Sequence, residues 1–198
     1  MIELIAERLP PLVILWLSLA THEWAHAAAA YALGDDTARA QGRMSLDPFV
    51  HLDPVGTLAL PILGVPFGWA IPVPINPAAF DRRWPMSLGV LLTAAAGPLA
   101  NAVLAGVAWL GLWVVGHTLG DSTLGGVAAR LGEAALRLNV ALAIFNLLPI
   151  PPLDGSRIVA HFLPRSVQGA WEQLERYGRW LPLSVLVVLV LLGVVPIG

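Results

Sequence analysis

The sequence predicts an all-α polytopic membrane protein of about four to five transmembrane helices, with a Pro/Gly-rich re-entrant or β-hairpin element at residues 55–77 and an interfacial helix at 156–179. Three observations predict it. Hydrophobic residues make up 57% of the chain and charged residues only 12%, where soluble domains carry about 25% charged residues. Apolar runs of spanning length recur between short polar stretches. Prolines and glycines interrupt one of those runs again and again and leave the others nearly intact.

The start, Met1-Ile2-Glu3-Leu4-Ile5-Ala6-Glu7-Arg8, is mixed rather than basic, and no small-residue cleavage site follows it, so no removable signal peptide is expected. The first membrane segment is expected at residues 10–33, ended by Gly34-Asp35-Asp36. Ala27 to Ala30 give it a small-residue face on which another helix can close. Residues 35–54, with Arg39, Arg43, Asp47, His51 and Asp53, read as a loop at the membrane surface. Residues 55–77 are apolar but broken by Pro61, Gly64, Pro66, Gly68, Pro72, Pro74 and Pro77. Each proline removes a backbone donor that a lipid-facing helix needs. A re-entrant or hairpin element shielded by protein is therefore expected, with a thin transmembrane helix as the alternative.

Phe80-Asp81-Arg82-Arg83-Trp84 reads as an interfacial cluster. Residues 86–118 are long enough to cross a bilayer once with tilt, and Gly97-Pro98 sits near their middle. Residues 119–132 read as a Gly-rich polar connection and 133–148 as a further apolar helix, stopped by Pro149, Pro151 and Pro152. Residues 156–179 set Arg157, His161, Arg165, Arg176 and Arg179 among apolar positions, as suits a helix lying along the interface. Residues 181–197 form the expected final membrane helix. If 55–77 re-enters, Arg39, Arg43, Arg82, Arg83, Arg157, Arg165, Arg176 and Arg179 fall on one face, and Arg8, Arg130 and Arg137 on the other. The positive-inside rule makes the first face cytoplasmic.

At 198 residues the chain is expected to form a single membrane-embedded domain, 1–198, without room for an appended soluble module. A net charge of −2 without a basic block gives no reason to expect nucleic acid as a partner. The chain has no cysteine, so any metal must be held by His, Asp or Glu.

Thr21-His22-Glu23-Trp24-Ala25-His26 places three ionisable groups inside an apolar run. Each costs about 2.5–3.5 kcal/mol at the centre of a membrane helix, so together they need a partner. A divalent metal is the simplest. On a helix His22 and His26 lie one turn and about 40° apart, with Glu23 about 60° beyond His26. Both rings then reach one ion while Glu23 works on a water, the His-Glu-x-x-His arrangement of zinc hydrolases. The blander alternative is a pair of interhelical hydrogen-bonding histidines with a glutamate facing a polar cavity.

Two histidines do not complete a catalytic zinc site, which takes three protein ligands. Asp154 is the best third candidate, since it follows a membrane helix in a proline-fixed loop and precedes Gly155. Asp121 and Asp53 lie in less rigid polar loops, and His51 and His161 remain alternatives. Asn101 is either a helix–helix hydrogen-bonding group or a neighbour of the metal.

His22-Glu23-Trp24-Ala25-His26, followed by Asn146-x-x-Pro149-x-x-x-x-Asp154-Gly155 at the end of a later helix, resembles the site-2 protease family of intramembrane zinc metalloproteases in a compact form without a regulatory domain. Gly97-Pro98-Leu99-Ala100-Asn101 is also similar, so the resemblance spans residues 10–160. It implies one Zn2+ held by His22, His26 and Asp154, with Glu23 as general base and then proton donor. It implies Asn146 and Asn101 near the substrate or oxyanion, and His51 as an active-site neighbour. The implied reaction is hydrolysis of peptide bonds within or near transmembrane segments. A prokaryotic cell membrane is expected, and the arginine count puts the site towards its cytoplasmic half. The implied partners are a transmembrane protein substrate and the bilayer. Residues 55–77 offer an edge on which an unwound substrate can add as a strand. The rival reading is a non-hydrolytic metal-binding transporter or scaffold; against it, the ionisable residues converge on one point and form no path.

Overall fold

A computed structural model describes residues 2–59, 69–120 and 122–178. The described residues form six α-helices with no strand: α1 (Ile2–Ala32), α2 (Thr37–Ala40), α3 (Met86–Thr118), α4 (Thr123–Asn146), α5 (Asp154–Ala160) and α6 (Arg165–Gly178). The long helices α1, α3 and α4 pack on one another, and α5 lies against α3.

Contacts between the long helices fix their register. His22 and His26 on α1 meet Asn101 and the Thr93 carbonyl on α3, so these helices run antiparallel. Asn101 and Leu112 on α3 meet Asn139 and Gly132 on α4, which reverses direction again. The end of α1, the start of α3 and the end of α4 therefore share one end of the bundle. His22 lies ten residues before Ala32, which at about 1.5 Å per residue puts it roughly 15 Å from that end.

Helix α1 starts at Ile2 rather than near residue 10 and carries Pro10 and Pro11 inside it. The residues before the prolines are mostly good helix formers, and the helix runs through both positions despite the two lost donors. The stop is where expected. Gly34 takes φ of +104°, a left-handed value suited to glycine, and Asp35 N–H closes back on the Ala30 carbonyl at 3.0 Å. The loop expected at 35–54 contains α2 and a 3-10 turn at Pro48–Val50.

Residues 55–77 do not form one regular element. A π-helical turn covers Pro54–Ala59, the stretch 60–68 lies outside the described residues, and 69–76 runs without helix or strand to Asn76, whose backbone is extended, before a 3-10 turn at Pro77–Ala79. A β-hairpin is therefore not present among the described residues, because the prolines deny that backbone the donors a ladder needs. The segment packs along α1: Val73 joins Ala27 and Ala38, and Phe80 joins Ala30 and Leu33. Phe80 also rests on Gly89 of α3, where an added Cβ would stand 2.5 Å from the ring.

Two expectations are corrected. The connection placed at 119–132 is helical from Thr123, because Ser122 caps α4 by accepting the Gly125 N–H at 3.0 Å, and the glycines beyond are carried within the helix. The single interfacial helix expected at 156–179 is two helices, since Pro164 cannot continue α5 and α6 restarts at Arg165. The helix expected at 181–197 lies outside the described residues.

Among the described residues α3 alone is long and apolar enough to cross a membrane. Its 33 residues rise about 50 Å. Leu99, Val103, Val107, Trp109, Leu110 and Trp113 stand more than half exposed on it, an apolar outer face that suits lipid.

Candidate metal centre

Three buried side chains converge where α1, α3 and α5 meet. His22 Nε2 and His26 Nε2 are 3.0 Å apart, and Asp154 Oδ2 lies 3.2 Å from the first and 3.3 Å from the second. The sequence separates Asp154 from His26 by 128 positions (154 − 26). One turn of α1 supplies the imidazoles, and the first residue of α5 supplies the carboxylate.

Glycines let these elements close. A Cβ on Gly97 would collide with His26 Nε2 and stand 2.6 Å from His22 Cε1, so α3 presents bare backbone to both rings. A Cβ on Gly155 would collide with the Leu147 carbonyl, so the head of α5 lies directly on the end of α4. Close approach is what Gly155 provides.

The hydrogen bonds orient the rings. His26 Nδ1–H donates to the Thr93 carbonyl at 2.7 Å, and His22 Nδ1 meets Asn101 Oδ1 at 2.6 Å. Both Nε2 lone pairs then face the cluster, as metal-ligating histidines require. Asp154 Oδ2 is buried there without a hydrogen-bond donor. Two imidazole lone pairs and a carboxylate oxygen meeting in a buried place repel unless a cation lies among them. The donor set, two nitrogens and one oxygen, is that of a zinc site.

Glu23 is buried beside the cluster, and its Oε2 accepts the Val73 N–H at 2.8 Å. The 69–76 stretch is tied at further points. Arg43 Nη2 donates to the Ile71 carbonyl at 2.6 Å, Ile71 N–H donates to the His51 carbonyl at 2.9 Å, and Asn76 N–H donates to Asp35 Oδ2 at 2.6 Å.

The other expected residues lie outside the converging trio. Asn101 is fully buried behind His22, with its oxygen on the ring and its nitrogen on Asn139 Oδ1. Asn146 donates to the Leu142 carbonyl of its own helix at 2.9 Å. His51 is buried under the loop, 2.8 Å from the Ser45 carbonyl through Nε2, and is not one of the converging ligands. Asp53 accepts the Val55 and Gly56 N–H groups at the head of the π-helical turn. His161 meets the Phe162 ring edge-on, with the two planes nearly perpendicular, and Asp121 lies outside the described residues. Sequence reasoning missed Asn139, Ser18 and Val73. The first two had a signal, as polar residues inside apolar helices; Val73 acts through its backbone and had none.

A family model described as "Peptidase family M50" matches residues 121–191. The chain is 41% identical over 194 residues to the Bacillus subtilis protein named "Putative zinc metalloprotease YwhC", covering 96% of this chain and 83% of that one. It is 34% identical over 168 residues to "Putative zinc metalloprotease Rip2" of Mycolicibacterium smegmatis, covering 82% of this chain and 61% of that protein. With the Mycobacterium tuberculosis protein of the same name it shares 32% over 154 residues, 76% of this chain and 57% of that one. No solved structure matches.

Proposed function

Because the chain belongs to peptidase family M50, the site-2 protease family, we propose that this zinc metalloprotease hydrolyses peptide bonds within or near the transmembrane segments of other membrane proteins. The observation that carries the reading is the meeting of His22, His26 and Asp154 beside Glu23, in a helix bundle with an apolar outer face.

His22 and His26 would each give Nε2 to the ion and Asp154 a carboxylate oxygen, which leaves the open position of a catalytic zinc site. When bound, zinc supplies Lewis acidity, polarising the scissile carbonyl and making water a stronger acid. The proton transfers fall to Glu23. It takes a proton as a water oxygen bonds to the carbonyl carbon, and it gives that proton to the amide nitrogen as the C–N bond breaks. The Val73 N–H on Oε2 keeps the Glu23 side chain in one orientation for both transfers. Asn146 is bonded within its own helix, a local bond that a substrate carbonyl or oxyanion is able to replace.

A helical substrate hides its carbonyls, so it has to unwind before cleavage. In this reading residues 69–76, free of helix and pinned beside Glu23, receive the unwound segment by strand addition. The protein is multi-pass, with four spanning segments, its amino terminus outside, and the bundle end bearing Arg39, Arg43, Arg82, Arg83 and Arg157 in the cytoplasm. Water reaches the site from that end.

Glu23→Gln tests the reading. Cleavage of a single-span substrate in detergent is expected to fall by about 10²- to 10⁴-fold while zinc content stays at the wild-type level. A transporter or scaffold makes no such demand on that carboxylate. Wild-type cleavage by the glutamine variant would sink the reading.

A further inference from the structure

Behind His22 a chain of buried amides crosses all three long helices. His22 Nδ1 on α1 meets Asn101 Oδ1 on α3 at 2.6 Å, and Asn101 Nδ2 donates to Asn139 Oδ1 on α4 at 2.9 Å. Asn139 Nδ2 donates to the Ala135 carbonyl at 2.9 Å and to Ser18 Oγ, back on α1, at 3.0 Å. Asn101 is 0% exposed, and Asn139 and Ser18 are each 2% exposed.

The direction of this chain is set at its far end. A backbone carbonyl only accepts, so Asn139 must turn its NH2 toward Ala135. Its oxygen then faces Asn101, which must present its own NH2 there and its oxygen to His22. An amide oxygen also only accepts, so His22 must carry its proton on Nδ1. That leaves the Nε2 lone pair for the cluster. His26 obtains the same tautomer in one step from the Thr93 carbonyl, whereas His22 obtains it through two side chains.

We propose that Asn139 is a positioning residue that fixes the tautomer and ring orientation of His22 through Asn101. The proposal rests on the zinc reading above and deepens it. A group two hydrogen bonds removed from His22 thus governs how that ligand is presented to the ion. Outer partners of metal-ligating histidines contribute about 10- to 100-fold to metal affinity.

Two variants separate this role from simple filling of space. Asn139→Asp keeps an acceptor for Asn101 and with it the direction of the chain toward His22. Asn139→Leu keeps bulk and removes the acceptor, freeing Asn101 to turn over. The full-length protein with 15N-labelled histidine is examined by NMR in detergent, zinc-loaded and after chelation, at a pH where imidazole is neutral. Five histidines keep the spectrum tractable, and His22→Gln identifies the signal of interest. Wild type and Asn139→Asp are expected to show His22 protonated on Nδ1 in both states. Asn139→Leu is expected to show mixed tautomers after chelation and about 10-fold weaker zinc retention against a competing chelator. If Asn139 only fills space, leucine is the milder change and a buried carboxylate the worse one, the opposite order.

A single Nδ1–H tautomer and unchanged zinc retention in Asn139→Leu would overturn the proposal. So would a wild-type protein whose chelated His22 carries its proton on Nε2, a result that needs no variant to fold. Wild-type protein that binds no zinc defeats the functional reading instead, while the tautomer measurement still decides the role of Asn139.

Discussion

At Gly97 one methyl group decides whether α3 can lie against the two imidazoles. Gly97→Ala puts a carbon into His26 Nε2 and within 2.6 Å of His22 Cε1, and overpacking of this kind costs about 1–3 kcal/mol. The variant is expected to melt earlier in detergent and to lose zinc to a chelator at least about 10-fold more readily. Gly111→Ala, on the same helix with open space around it, is expected to keep zinc and melt within a few degrees of wild type. At this scale the sequence was informative about ionisable residues. His22, Glu23, His26 and Asp154 stand out because charge in an apolar chain needs a reason. It was less informative about amides. Asn101 was visible, but which way it faces depends on Asn139, 38 residues away, and no spacing rule joins the two.

Among the elements, the stretch at 69–76 bears most directly on substrate handling. Arg43 holds the Ile71 carbonyl from outside the metal cluster. Arg43→Ala is therefore expected to reduce cleavage of a membrane substrate by roughly 10-fold, the worth of one charged hydrogen bond, with zinc content unchanged. Equal cleavage by the variant would mean that the stretch plays no part. Prolines made this region legible as non-helical, since they lack donors and clash with a preceding turn. They did not reveal its form, because its hydrogen bonds run to Glu23, Asp35, Arg43 and His51, residues far away in the chain. The start of α4 departs from the expectation for a related reason. Gly125 and Gly126 look like a loop in isolation, yet the Ser122 cap and packing against α3 carry the helix through them.

Across the whole molecule, the alternating direction of α1, α3 and α4 puts the Arg-rich loops at one end and the α3–α4 connection at the other. The absence of native cysteine makes this easy to map. With single cysteines introduced in intact cells, Thr123→Cys is expected to react with a membrane-impermeant maleimide, and Gln41→Cys only after the membrane is opened. The reverse pattern would invert the proposed topology. Composition alone carried the membrane character, through 57% hydrophobic and 12% charged residues. Long-range closure of the site was not legible in composition, since it depends on Gly97, which lets the backbone of α3 lie against the imidazoles of α1, and on Gly155, which lets the head of α5 lie on the end of α4. The most direct test of the account is X-ray absorption at the zinc edge of the full-length protein, compared with Asp154→Ala. The account predicts two imidazole nitrogens and a carboxylate oxygen at about 2.0–2.2 Å in the wild type, with the carboxylate contribution and most of the zinc lost in the variant. A third imidazole in the wild type, or an unchanged spectrum in Asp154→Ala, would contradict it.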